Sequence, residues 1–384
     1  MITIKADSAC GSVLAADLRA PHATPAFRSS SMDGFAVRAA TLEKCSHANP
    51  IRLPIVGQLF PGDDPSPPTP VDGAVRIMTG APIPDQCDAV VKVEDVTVTE
   101  SAVTFHTAPQ VGQYIREAGD DLAAGERLLC RGHRLGPLDM GPIARIGVAE
   151  LSVFRRARAY ICVTGDELVE PGQPLSAGKS YNANGQTVAA LIKSHCESVL
   201  LGQTVEDDLT ALSDALDSDC DVVITCGGVS AGDRDFVPAA AAAAGWETVF
   251  HKVAIKPGKP FFFASRGRQF LFGLPGNPLS AAVSCAVFVL PALKKLAGRK
   301  DYQLHTTPAR LAAGEARRTA RTLIWPGTFR SDVGGLCASY SPKSSSAALS
   351  ALLNTDGLII QPPLESSAPA APDVQTITWE QILR

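Results

Sequence analysis

Residues 221–235 read DVVITCGGVSAGDRD, and the fold turns on how that stretch divides. Its first part, Asp221-Val222-Val223-Ile224-Thr225, is a short β-branched run without polar alternation, the pattern of a strand buried on both faces. Its second part opens on two adjacent glycines, Gly227 and Gly228. Glycine adopts positive φ at little cost, so the pair lets successive backbone N–H groups turn toward an anion. No Gly-Lys-Ser/Thr follows, so this is not a Walker loop. A plain strand-to-helix turn accounts for the glycines but does not require Ser230 and Asp235 as well; a cradle for an oxyanion or phosphate does.

Working outward, strand-like and helix-like segments alternate. Ala159–Val163 and Ser198–Leu201 read as strands, and Gly185–Ser194 and Leu209–Leu216 as helices. An Ala-rich helix follows near Pro238–Gly245. Strands come next near Val249–Ala254, Phe261–Ala264 and Gln269–Gly273, and an apolar helix at Leu279–Leu296 closes the unit. This alternation predicts a mainly parallel sheet covered by helices. In such sheets ligands collect where strands end. Two further loops qualify. Thr164-Gly165-Asp166-Glu167-Leu168 places two carboxylates just past a strand, either as a turn and cap or as acidic site residues. Lys256-Pro257-Gly258-Lys259-Pro260 holds two cations between prolines, and Pro275-Gly276-Asn277-Pro278 follows it. There Asn277 suits a helix cap and Pro278 a first helical position, leaving the positive helix end free to face an anion.

The flanking segments differ in composition. Ile51–Pro109 is rich in Pro, Gly and Val, with β-like runs at Ala89–Val93 and Val96–Val98, and reads as a small β-rich domain. Its proline stretch at 61–68 reads as a surface loop. After Gly298 come strand-like pieces at Arg321–Trp325, Leu336–Tyr340, Leu358–Gln361 and Val374–Trp379, which predict a terminal β-barrel-like domain. The chain of 384 residues suits two to four domains. Lys+Arg at 35 against Asp+Glu at 39 leaves no basic excess for nucleic acid. The start of the chain shows no leader pattern and no apolar run approaches the roughly 18 residues of a membrane span, so a cytoplasmic, membrane-free protein is expected. The ten cysteines lack CxxC or zinc spacing and are read as reduced structural thiols.

Seven segments, in order, carry a resemblance: SMDGFAVR at 31–38, MTGAPIP at 78–84, REAGDDLAAG at 116–125, TGDEL at 164–168, TCGGVSAGDRD at 225–235, IKPGKP at 255–260 and GLPGNPLSA at 273–281. Together they resemble the molybdopterin molybdenumtransferase family, known as MoeA in bacteria and as the gephyrin E domain in animals. The resemblance implies an α/β and β multidomain fold. A linker domain would span 1–30 plus 123–150, a small β-rich inserted domain 31–122, a central parallel-sheet, molybdopterin-binding-like α/β domain 151–300, and a C-terminal β-barrel-like domain 301–384.

The resemblance also implies a homodimer whose cleft lies between the α/β domain of one chain and the small β-rich domain of the other. There adenylylated molybdopterin and molybdate would be converted, with Mg²⁺, to molybdenum cofactor and AMP. Asp33, Thr79 and Asp121 match cleft positions of the N-terminal half, and Asp235, Glu167, Lys256 and Lys259 match active-site positions of the α/β domain. Asp208 is a looser match. Gly227, Gly228, Ser230, Pro275, Gly276, Asn277, Pro278 and Ser346 are expected to hold substrate, and Asp235 and Glu167 the metal. A molybdopterin adenylyltransferase is the expected upstream partner. The rival readings are that adenylyltransferase itself, whose α/β domain shares the GGVS-type loop, and a non-catalytic pterin-binding paralogue. One departure stands out: the family's Arg-x-x-Phe-x-Arg-Gly segment is here Arg321-Thr322-Leu323-Ile324-Trp325-Pro326-Gly327. A cation is therefore missing at Pro326 unless Arg321, Arg330 or Lys343 supplies it.

Overall fold

A computed structural model describes residues 1–64, 72–230, 236–364 and 373–384. The chain divides into two compact units, Thr3–Val153 and Phe154–Arg384, the second including Met1–Ile2. In the larger unit all five residues of the strand Val222–Cys226 are buried. It pairs in parallel with Ala157–Thr164 on one edge and Gln269–Leu274 on the other. The six strands run in the order Cys196–Val205, Ala157–Thr164, Val222–Cys226, Gln269–Leu274, Phe262–Arg266, Glu247–His251. The first four are mutually parallel, and Phe262–Arg266 runs antiparallel to both of its neighbours.

Side chains leave the sheet with period two. Ile161, Val163 and Ile224 enter one core with Val188, Ile192 and Leu279, from the helices Ala183–Ile192 and Pro278–Ser284. Cys162, Val223 and Leu271 enter the other, with Leu212 and Leu216 of Leu209–Leu216 and Val237 and Ala240 of Val237–Ala243. Burial on both faces is why the central run lacks polar alternation. One expectation is corrected here. Pro278–Leu296 forms a 19-residue helical stretch with mean hydropathy 1.6, long and apolar enough to cross a membrane. Its apolar span is 67% buried, as befits a core helix.

The C-terminal strands close on themselves. Thr322–Asp332, Gly335–Tyr340, Thr307–Leu311, Asp373–Thr378 and Gly357–Gln361 pair in turn, and Gly357–Gln361 pairs again with Thr322–Asp332. The result is a five-stranded barrel with no free edge among these strands. Thr307–Leu311 is absent from the reading of the sequence. The short strand Ile255–Lys256 joins this sheet, Ile255 opposite Thr322 and Lys256 opposite Leu323. Trp325 is buried in the barrel, and its indole N–H donates to the Lys343 carbonyl at 3.0 Å. Arg317 lies over the Trp325 and Tyr340 rings.

The smaller unit holds a six-stranded sheet in the order Ala89–Lys92, Gly34–Val37, Ala74–Ile77, Ile51–Leu59, Ala102–Phe105, Val96–Val98. Gly34, within the 31–38 segment, lies so close to its neighbour that a Cβ there would sit 2.0 Å from the Val91 carbonyl oxygen. Of the proline stretch at 61–68, residues 61–64 are exposed and the remainder lies outside the described residues. All ten cysteines are free thiols.

Asp221, which opens the central strand, accepts two hydrogen bonds from the Arg155 guanidinium at 2.8 and 2.9 Å and one from the Arg158 N–H at 2.7 Å. The Arg155 bonds, ahead of the Arg158 N–H, hold its carboxyl below the usual range. Asp221→Asn is therefore expected to lower stability by about 1–2 kcal/mol at neutral pH, given partial exposure of the pair. Because the folded-state value is depressed, this contribution is full above the unfolded value near about 3.9 and is lost as pH falls below it. Urea unfolding of both proteins across pH measures it, and a gap that persists undiminished into strong acid contradicts the assignment.

Candidate active site

Register sets the site. Val163 pairs with Cys226 and Cys226 with Leu274, so three parallel strands end level and their loops open side by side. The Gly227 N–H donates to the Leu274 carbonyl at 3.0 Å, closing the second loop onto the third. Gly227 and Gly228 both take positive φ, +103° and +66°. Sterics require them too: a Cβ on Gly227 would meet the Thr164 carbonyl oxygen at 2.8 Å, and one on Gly228 would meet Val237 Cγ2 at 2.9 Å.

These loops enclose a cavity of about 420 Å³ lined by Glu167, Gly227, Gly228, Gly276, Asn277 and Pro278. The Glu167 carboxylate folds over Gly165, where a Cβ would lie 2.8 Å from Oε2. The same cavity is lined by four residues that sequence reasoning missed, Tyr181, Asn182, Asn184 and Asp207. Ser230 is exposed and is not part of this lining. Asp235 lies outside the described residues.

Asp208, the looser match, stands at a helix start. Asp208 caps the helix Leu209–Leu216, its Oδ1 accepting from the N–H groups of Thr210 and Ala211 at 2.9 Å each. Asp207 instead lines the cavity and accepts a hydrogen bond from the Thr164 hydroxyl. The signal was available: an Asp one residue before a helical run is its natural cap, which leaves the preceding carboxylate for the strand ends.

A second pocket, about 260 Å³, is lined by Lys256, Lys259, Asn277, Ser280, Arg321 and Ser346, together with Pro275 and Ser344. It brings three cations and three hydroxyls together, with no carboxylate among the described residues that line it. The lysine loop is held in shape by Gly258 at φ +104°, where a Cβ would meet Ser284 Oγ at 2.6 Å. Asn277 lines both pockets. It occupies the expected cap position with Pro278 next, but its side chain makes no capping bond. The Asn277 amide donates to Ser346 Oγ at 3.1 Å, and the Leu279 N–H donates to the Ser346 carbonyl at 3.1 Å. The barrel loop thus takes one of the first N–H groups of the helix, where a side-chain cap was expected.

Of the three cations named as substitutes at Pro326, Arg321 lines this pocket, whereas Arg330 and Lys343 do not. The Arg321 guanidinium is anchored on the Ile255 carbonyl at 3.1 Å. Pro326 is buried in the barrel wall opposite Leu358.

In the smaller unit Asp33 and Thr79 meet. The Thr79 N–H and hydroxyl each donate to Asp33 Oδ1 at 2.7 Å. The N–H bond first, then the hydroxyl bond, holds the Asp33 carboxyl below its ordinary value. Asp121 lies elsewhere in that unit, 3.2 Å from Arg145 Nε, lining a hollow of about 510 Å³ with Thr24 and Arg145. Among the described residues no group of three or more His, Cys, Asp or Glu side chains is placed to hold a metal ion.

A mainly parallel α/β sheet with a glycine loop and a lysine loop at its strand ends, joined to a closed β-barrel, defines a multidomain α/β protein whose strand-end loops are suited to anions. Residues 1–147 match the family described as MoeA N-terminal region (domain I and II), and residues 160–295 the family described as probable molybdopterin binding domain. Relatives include a molybdopterin molybdenumtransferase of Haemophilus influenzae, 39% identical over 77% of this chain and 72% of that one. Another, molybdopterin molybdenumtransferase 2 of Mycobacterium tuberculosis, is 35% identical over 99% of this chain and 95% of that one. The crystal structure of a molybdopterin biosynthesis MoeA protein from Pyrococcus horikosii superposes with a TM-score of 0.86 at 26% identity, covering 98% of this chain and 94% of that one. The chain belongs to the molybdopterin molybdenumtransferase family.

Replacing Thr79 by Val removes the hydroxyl donor while the N–H remains. The Asp33 carboxyl is then expected to titrate at higher pH than in the wild type, still below the ordinary aspartate range. Carboxyl-carbon NMR titration of the two proteins checks this, and coincident Asp33 curves reject the assigned pairing.

Proposed function

We propose that this chain inserts molybdenum into molybdopterin, using adenylylated molybdopterin and molybdate as substrates and Mg²⁺ as cofactor, and releasing AMP. The observation that carries the reading is the partition of charge around Asn277: a carboxylate-lined cavity with a glycine cradle on one side, and a pocket of Lys256, Lys259 and Arg321 on the other. Molybdate suits the cationic pocket and the pyrophosphate of the adenylylated pterin suits the cradle. A molybdate oxygen attacks the adenylyl phosphorus, the anhydride bond to the pterin phosphate breaks and that phosphate leaves; the two dithiolene sulfurs then replace two oxygens on molybdenum, one departing on AMP and the other as water with the thiol protons. Lysines and backbone donors chiefly position two anions and offset their charge.

The donor set fits magnesium. Two carboxylates, Glu167 and Asp207, line one cavity, and Mg²⁺ is usually held by one or two carboxylates with substrate phosphate and water. Asp235, which follows the glycine loop in sequence, is proposed as a further carboxylate there. When bound, Mg²⁺ neutralises charge on the phosphate oxygens. Ser230 is proposed to contact substrate from the same loop.

The proposed assembly is a homodimer in the cytoplasm, supplied by a molybdopterin adenylyltransferase. Asp33, Thr79 and Asp121 of one copy then serve the strand-end loops of the other. Asp33, held ionised by Thr79, is a polar group suited to such a cleft.

The reaction is tested by single-turnover AMP release from adenylylated pterin, with molybdate and Mg²⁺ varied independently. An adenylyltransferase would instead consume ATP, and a non-catalytic paralogue would release no AMP. Lys256→Ala and Lys259→Ala are each expected to weaken molybdate binding about tenfold or more, the worth of a charge-assisted hydrogen bond. Unchanged binding in both variants contradicts the assignment. Mixing Asp121→Ala with Asp235→Ala chains is expected to restore part of the activity through one intact cleft per heterodimer. Proven heterodimers without recovery reject the shared cleft.

A further inference from the structure

Tyr181 and Asn184 carry no part of the charge chemistry, yet both line the cavity at the strand ends. Tyr181 ends the short strand Ser180–Tyr181, which pairs in parallel with Leu168–Val169. Its hydroxyl donates to the Gln173 carbonyl at 3.0 Å, so the polar tip of the ring is already partnered. The next residue anchors this base: Asn182 Oδ1 accepts from the Gly185 N–H at 3.0 Å, and its amide donates to Glu170 Oε1 at 3.0 Å. The ring nevertheless belongs to none of the hydrophobic clusters, and Tyr181 is 44% exposed. A tyrosine held in place for packing alone would be covered.

Asn184 is only 8% exposed. Its Nδ2 donates to the Gly276 carbonyl at 2.7 Å, which fixes the orientation of the amide. Its Oδ1 is buried and has no hydrogen-bond partner. A buried acceptor left unpaired is costly and calls for an explanation in the site it lines.

We infer that Tyr181 and Asn184 form a ring subsite, in which the Tyr181 face stacks on a planar heteroaromatic ring of purine or pteridine type and Asn184 Oδ1 accepts one of that ring's N–H donors. This rests on the proposed substrate, which carries such a ring at each end. Aromatic stacking suits any flat π-face, and a buried amide acceptor adds selection for an N–H edge. The subsite is chemically distinct from the lysine pocket, which selects charge.

The test is calorimetric titration of the full chain with AMP, with neopterin and with ribose 5-phosphate, the last carrying phosphate and sugar without a ring. Tyr181→Ala is expected to weaken binding of a ring probe roughly five- to a hundredfold, the usual worth of one base–aromatic stack, with ribose 5-phosphate unaffected. Tyr181→Phe keeps the face and is expected to stay close to wild type. Asn184→Ala is expected to weaken the same ring probe and again spare ribose 5-phosphate. Loss confined to AMP assigns the subsite to adenine, and loss confined to neopterin assigns it to the pterin. If Tyr181→Ala binds both ring probes as tightly as wild type, the subsite is wrong while AMP release can still uphold the proposed reaction. If wild type binds neither ring probe, the subsite is wrong, and AMP release decides the reaction separately.

Discussion

The site depends on the register of one buried strand. Val222, Val223, Ile224 and Thr225 are fully buried, hydrogen-bonded on both edges and packed on both faces. Burying each large apolar side chain contributes roughly 1.5–3 kcal/mol, and a one-residue slip would send every side chain to the opposite core. The same slip would carry Gly227 away from the Leu274 carbonyl it bonds and separate the glycine loop from Pro275–Asn277. Strand packing thus fixes loop position, and loop position fixes where an anion can sit.

A second constraint acts between the α/β sheet and the barrel. Ile255–Lys256 is a strand of the barrel sheet by hydrogen bonding, although it lies between strands of the α/β sheet in sequence. Ser346 returns the contact by accepting from Leu279 N–H and the Asn277 amide. One hydrophobic cluster runs through both, from Ile224 and Leu279 to Leu323, Trp325 and Ile377. The lysine pocket is therefore built by two sheets that share a core, which is how Arg321 from the barrel strand comes to stand with Lys256 and Lys259.

What the sequence made legible were features whose physics is local. The buried run at 221–225, the paired glycines, the proline-braced lysines and Pro278 at a helix start each announce a backbone state from adjacent residue types. What escaped was set by distant approach. Asn277 has the composition of a cap, but Ser346, sixty-nine residues on, intercepts both its amide and the neighbouring N–H. Asp207 and Asp208 are identical in type, and only the helix beginning at Leu209 decides which one is used as a cap. Tyr181 and Asn184 belong to a two-residue strand and a helix start with ordinary patterns, and they reach the cavity through parallel pairing at Leu168–Val169 and a bond to Gly276. Thr307–Leu311 escaped because its alternation is short and starts at a proline-bearing edge.

Burial of the thiols also bears on which donors the site offers to a metal. Thiolates bind soft and intermediate metals well, and Cys226 lines the cavity at the end of the central strand. Burial pushes its thiol far above the ordinary cysteine range, and neighbouring Cys162, also buried, is pushed up to about 12. At neutral pH both stay protonated, and a thiol is a poor ligand beside a dithiolene. The residues around the glycine cradle therefore offer oxygen donors from Glu167 and Asp207 and no thiolate of their own from these two cysteines. In the proposed reaction the sulfur donors for molybdenum then come from the substrate and not from these two cysteines, whose side chains belong to the cores on either face of the sheet.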